Sequence, residues 1–92
     1  MSATRAHFFL SGRVQGVCFR SASRNKARSL GIKGWVRNLP DKRVEITAEG
    51  EEDKVKKFIE WAKEGPEFAG VENMELYREE YKGEFDRFEI KY

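Results

Sequence analysis

The chain has 92 residues and a mass of 10.8 kDa, enough for one hydrophobic core, so one domain over residues 1–92 is expected. Its 18 basic residues nearly balance 16 acidic ones, and the first half carries most of the basic excess, which suits a small anion better than a nucleic-acid footprint. A single cysteine and a single histidine exclude a disulfide framework and a conventional Cys/His zinc site; with no apolar run near the roughly 20 residues of a membrane span and no signal-peptide layout in Met-Ser-Ala-Thr-Arg-Ala-His, a soluble, cytoplasmic protein is expected.

Residues 5–11 alternate, with Ala6, Phe8 and Leu10 on one side and His7, Phe9 and Ser11 on the other, as a strand laid against a core does. His7 reads there as a structural residue. After a glycine-containing loop, Ser21 suits a helix N-cap, Ala22, Ala27 and Leu30 form an apolar stripe, and Gly31 closes the helix, predicting a first helix over 21–30. Segments 33–39 and 43–49 flank Pro40-Asp41-Lys42, and Val44, Ile46 and Ala48 alternate with Glu45, Thr47 and Glu49, which predicts a hairpin. Gly50 then introduces Glu51, Glu52 and Asp53, acids suited to a helix N-terminus. Val55, Phe58, Ile59 and Ala62 follow at i, i+3, i+4 and i+7, and Gly65-Pro66 ends the run. Trp61 on that helix reads as a packing residue. Residues 71–81 return to an extended pattern with Met74 and Leu76 on one face, and 88–92 alternate as a short last strand after a turn at 82–84. The predicted order is βαββαβ plus a short C-terminal strand. The fold class is therefore α+β, a ferredoxin-like split βαβ sandwich: an antiparallel sheet with two helices on one face.

The segment from Gly12 to Arg20, Gly-Arg-Val-Gln-Gly-Val-Cys-Phe-Arg, lies where a predicted strand gives way to a predicted helix. Such a passage can turn several backbone N–H groups toward one point, joined by the unpaired N–H groups of the first helical turn. Gly12 and Gly16 permit backbone angles that let the chain wrap a ligand, and the guanidinium of Arg20 matches two phosphate oxygens. An ordinary strand-to-helix turn with a surface arginine accounts for the same residues. Farther on, with strand two beside strand one, residues 34–38 would run close to the loop and bring Asn38 to its end. A carboxamide there can orient a water against a phosphoryl group; an asparagine that starts a proline-containing turn is the other reading.

Taken together, Gly12 to Arg20 and Gly34-Trp35-Val36-Arg37-Asn38 resemble the acylphosphatase family, whose loop reads G-x-V-Q-G-V-x-F-R and whose second block reads G-W-V-x-N. An acidic turn and Val-Glu follow in that family, matched here by Asp41, Val44 and Glu45, and the acidic start of the second helix and the Gly65-Pro66 pair agree as well. The resemblance implies a hydrolase of carboxyl-phosphate anhydrides that works without metal or cofactor. It implies that Arg20 binds phosphate with the backbone N–H groups of Val14, Gln15, Gly16, Val17, Cys18 and Phe19, and that Asn38 positions the attacking water. The implied partners are a small acyl phosphate and inorganic phosphate as product and inhibitor, with no membrane and no nucleic acid. Two positions depart from the pattern: Cys18, where many members carry glycine or an aromatic residue, and Lys42, where many have Asp-Gly in the hairpin.

The same residues also admit other chemistry. Cys18 and Arg24 have the C-x-x-x-x-x-R spacing of enzymes that form a cysteinyl-phosphate, but the residues between them include no glycine and Arg24 falls inside the predicted helix. A non-catalytic anion- or RNA-binding module shares the element order, yet the third strand carries acids where RNA-recognition domains carry aromatics.

Overall fold

A computed structural model describes residues 2–92, and its elements run β1 (Ala3–Arg13), α1 (Phe19–Ser29), β2 (Lys33–Asn38), β3 (Val44–Glu51), α2 (Glu52–Glu64), β4 (Gly70–Glu79) and β5 (Phe88–Lys91). The five strands form one sheet in the order β4-β1-β3-β2-β5. The alternation of β1 is realised as expected, with Ala6, Phe8 and Leu10 fully buried and His7, Phe9 and Ser11 only half-buried on the opposite face. Val36 and Ile46 join them from β2 and β3. The apolar faces of both helices close over this layer: Val55, Phe58, Ile59 and Ala62 from α2, and Phe19 and Ala27 from α1. Phe58 is the hub, meeting Phe8 and Phe88 edge-on at centroid distances of 6.1 and 5.6 Å and stacking on Trp61 at 5.9 Å.

Three expectations need correction. The sheet is mixed rather than antiparallel, because β5 pairs parallel with β2, Gly34 opposite Phe88 and Arg37 opposite Lys91. The chain reaches that edge by the connection between β4 and β5 at the opposite edge, not by a hairpin, and so enters in the direction of β2. Strand two is likewise not beside strand one, since β3 lies between them. Both are antiparallel to β3, so β1 and β2 run the same way and finish at the same end of the sheet. Finally, α1 starts at Phe19 instead of Ser21. Ser21 does not cap it; its hydroxyl donates backward to the Cys18 carbonyl at 3.2 Å, and Cys18 takes the N-cap position in the left-handed region, φ 62°. The buried stripe accordingly runs Phe19, Ser23, Ala27, while Ala22 and Leu30 are half-buried.

β1 is longer than 5–11 and takes in the first residues of the expected loop. Gly12 sits at an irregularity in the pairing with β4, at φ 113°, where a Cβ would stand 2.3 Å from the Gly70 carbonyl oxygen. Its glycine is thus demanded by the neighbouring strand and not by a ligand. At the β2–β3 hairpin the Leu39 N–H donates to Arg43 O at 2.8 Å and the Lys42 N–H to Leu39 O at 3.1 Å. Lys42 adopts φ 76°, the left-handed position of a three-residue hairpin loop. Asp41 braces the turn: hydrogen bonds from the Arg43 N–H and then from its guanidinium hold the Asp41 carboxyl below its usual range. A side chain at that φ costs roughly 1–2 kcal/mol, partly offset in glycine by the entropy it loses on folding. Lys42→Gly is therefore expected to stabilise the fold by about 1 kcal/mol, read as a raised urea midpoint; an unchanged or lowered midpoint contradicts this.

The sheet face away from the helices carries charge in place of apolar packing. Glu45 is buried on β3 and accepts from His7 Nε2 and Arg37 Nε, both at 2.6 Å, while Arg5 meets Glu49 at 3.4 Å, Glu79 at 2.9 Å and also Glu84. Burial alone would push the Glu45 carboxyl up, but the hydrogen bonds from His7 and Arg37 together with the Arg37 charge outweigh it and hold it below the ordinary 4.5. A carboxylate depressed in the folded state adds stability that is complete above its unfolded value and is lost as pH falls through the folded one. The stability gap between the wild type and Glu45→Gln is therefore expected to be widest near neutral pH and to narrow below pH 4.5. Urea midpoints measured across that range check it, and a gap independent of pH contradicts it.

Candidate active site

The loop between β1 and α1 is pinned at both ends by core side chains. Val14 is 1% exposed and Phe19 2%, so the backbone between them is stretched over the rim of the core while its flanks are fixed. Gly16 lies at φ 75° with no atom within 4 Å of where a Cβ would stand, so the strain and not the space calls for glycine there. Cys18 turns left-handed and α1 begins without any side-chain cap and without an acid in its first turn. The first helical bond runs from the Ala22 N–H to Cys18 O at 3.1 Å. Among the described residues, no acceptor takes the N–H groups from Gln15 through Ser21. Unpaired donors in a row, at the positive end of a helix, make an anion-seeking rim.

That rim borders a cavity of about 390 Å³ lined by Val14, Gly16, Cys18, Phe19, Arg20, Ser21, Asn38, Ile90 and Tyr92. Both side chains singled out from the sequence, Arg20 and Asn38, thus face one space, because β1 and β2 end on the same side even though they are not neighbours. Arg20 is half-buried, stacks on the Tyr92 ring at 5.0 Å, and has no carboxylate within ion-pair distance among the described residues. Asn38 is the last residue of β2, half-buried and paired with Val44 across the hairpin. Gln15 and Val17, also expected at the site, do not line the cavity. The Gln15 side chain instead reaches the hairpin, where its Nε2 donates to Leu39 O and Arg43 O, each at 2.9 Å.

Ser21, Ile90 and Tyr92 were missed. Ser21 reads from the sequence as a cap, and Ile90 and Tyr92 come to the cavity through the parallel pairing of β5 with β2, in which Val36 faces Ile90. Only the motif's position after a strand could have signalled Ser21; nothing local marks the other two. Cys18 is exposed and borders the cavity, whereas Arg24, its partner in the cysteinyl-phosphate spacing, lies within α1 and does not. His7, bound to Glu45 on the charged face, is also outside the lining.

The family model for acylphosphatase matches residues 6–90, which take in every residue of the loop and of the β2–β3 hairpin. The chain belongs to the acylphosphatase family. An acylphosphatase of Syntrophobacter fumaroxidans is 49% identical over all of this chain and 95% of its own length, and one of Pyrobaculum calidifontis is 54% identical over 94% of this chain and 79% of its own. The crystal structure of an acylphosphatase from Bacillus subtilis superposes with a TM-score of 0.93 at 36% identity, covering 97% of this chain and 99% of that one. Acylphosphatases are thus similar to this chain throughout its length, in the mixed sheet as well as in the loop. Among the described residues no helix is long and apolar enough to cross a membrane.

Proposed function

We infer that the protein hydrolyses acyl phosphates, breaking the bond between phosphorus and the bridging oxygen to release a carboxylate and inorganic phosphate. The observation that carries this reading is the meeting of unpaired loop N–H groups, an unpaired arginine and a carboxamide around one cavity. An acyl phosphate carries about two negative charges near neutral pH, by analogy with a phosphomonoester. The unpaired N–H groups of residues 15–20 and the Arg20 guanidinium supply donors for its nonbridging oxygens, and Arg20 balances part of the charge, whereas the Val14 N–H is spent on Gly12 O at 3.1 Å. Asn38 accepts one hydrogen bond from a water and directs the water's lone pair at phosphorus, opposite the acyl oxygen. The carboxylate leaves readily, so the leaving group calls for no strong acid, and catalysis reduces to placement and charge stabilisation. Among the described residues, no carboxylate or imidazole side chain lines the cavity. The water's proton passes instead to a nonbridging oxygen of the transferring phosphoryl group, giving dihydrogen phosphate and the carboxylate with charge conserved.

Benzoyl phosphate offered with excess chelator tests the reading directly. Turnover well above the buffer rate, competitive inhibition by inorganic phosphate and poor activity on an ordinary phosphomonoester are expected, since an alkoxide needs the acid this cavity lacks. A protein that binds phosphate but leaves benzoyl phosphate intact would be an anion-binding module of the same fold. Equal rates on both substrates would also overturn the reading.

A further inference from the structure

Asn38 and the phosphate loop belong to elements that do not pair, because β3 stands between β1 and β2. Both strands are registered to β3, with Leu10 and Asn38 each opposite Val44, but the β1–β3 ladder ends before the loop begins. Among the described residues, the hydrogen bonds joining residues 14–20 to residues 38–43 are those of the Gln15 carboxamide, whose Nε2 donates to Leu39 O and Arg43 O at 2.9 Å each. Both partners are carbonyl oxygens, which only accept, and a carboxamide nitrogen has two hydrogens to give, so the chemistry fixes which end of the amide faces the hairpin. The acceptors are well placed to transmit position. Leu39 directly follows Asn38, and Arg43 O also accepts the Leu39 N–H that closes the turn. The amide thus clasps the two ends of the hairpin loop from a residue whose neighbour, Gly16, lines the cavity.

We propose that the Gln15 side chain is a positioning residue that sets Asn38 against the phosphate loop and acts on hydrolysis through Asn38. This rests on the water-orienting role given to Asn38 above. Gln15 touches neither water nor phosphate with its side chain; it fixes where the attacking water is held relative to the phosphorus. A displacement of about 1 Å in such an arrangement is enough to lower a rate by up to a hundredfold.

A double-mutant cycle in the full chain tests it, with Gln15→Met keeping the reach of the side chain without its donors, Asn38→Ala, and the two combined. With benzoyl phosphate, Gln15→Met is expected to lower kcat by about tenfold while KM and inhibition by inorganic phosphate stay within about twofold. In the Asn38→Ala background the same change is expected to cost almost nothing further. Gln15→Glu, equal in shape but placing a carboxylate oxygen against two carbonyls, is expected to be worse than Gln15→Met and provides a second arm should the methionine variant fail to fold. If Asn38→Ala is impaired and the Gln15 loss simply multiplies with it, the proposal falls while the role of Asn38 stands. If Asn38→Ala is itself fully active, the underlying reading falls and the proposal with it. A Gln15→Met enzyme that loses phosphate binding but keeps kcat would show the clasp to serve the loop alone.

Discussion

Replacing Asn38 with alanine is expected to lower kcat by roughly a hundredfold or more while inorganic phosphate inhibits almost as before. The two halves of that outcome follow from where Asn38 sits. It borders the cavity from the end of β2, away from the loop and the helix terminus proposed to hold the anion, so its loss removes no donor from that rim. What disappears is the group proposed to order a water before attack. A water left to diffuse must spend entropy in the transition state that the carboxamide had already removed. Thermal melts must accompany the kinetics, because Asn38 also starts the hairpin turn. A loss of activity matched by unfolding, or no loss at all, would return Asn38 to a turn residue.

Arg20 should behave differently, because in the proposed mechanism its charge meets both the bound substrate and the transition state. Arg20→Gln is expected to raise KM, weaken inhibition by phosphate and lower kcat together, with kcat/KM reduced by roughly a thousandfold. Among the described residues no carboxylate pairs with this guanidinium, which leaves its charge available to an anion. Arg20→Lys is expected to recover little, since a single ammonium cannot bridge two phosphate oxygens in the plane that a guanidinium does. The fold should tolerate both changes: Arg20 is only half-buried and its recorded partner is the exposed Tyr92 ring. A Gln variant that binds phosphate normally would remove Arg20 from the site.

Features set by local chemistry were legible in the sequence. The period-two alternation of β1, the i, i+3, i+4, i+7 stripe of α2 and its glycine stop were all read from spacing, because burial on one face leaves its period in the chain. The loop and Asn38 could be joined into one candidate site through the family pattern, or through a pairing of strand two with strand one that the fold does not make. The geometry that joins them is nonlocal, running through β3 and the Gln15 side chain. The same limit hid the parallel edge strand and with it Ile90 and Tyr92, since nothing in residues 88–92 records which partner they pair with. The start of α1 was misplaced for a different reason. A serine hydroxyl can accept from an N–H or donate to a carbonyl, and burial of Phe19 settled the matter two residues earlier, leaving Ser21 to donate. Uncapped N–H groups are also the feature that leaves the rim open to an anion.

The central claim is that this rim holds the phosphate, and titrating the ¹⁵N-labelled protein with inorganic phosphate tests it most directly. The largest shifts are expected at the backbone amides from Gln15 to Ser21 and at the Arg20 Nε–H, saturating over the concentrations at which phosphate inhibits benzoyl phosphate hydrolysis. Shifts confined to other cationic surfaces, or none at the loop while inhibition is complete, would contradict it.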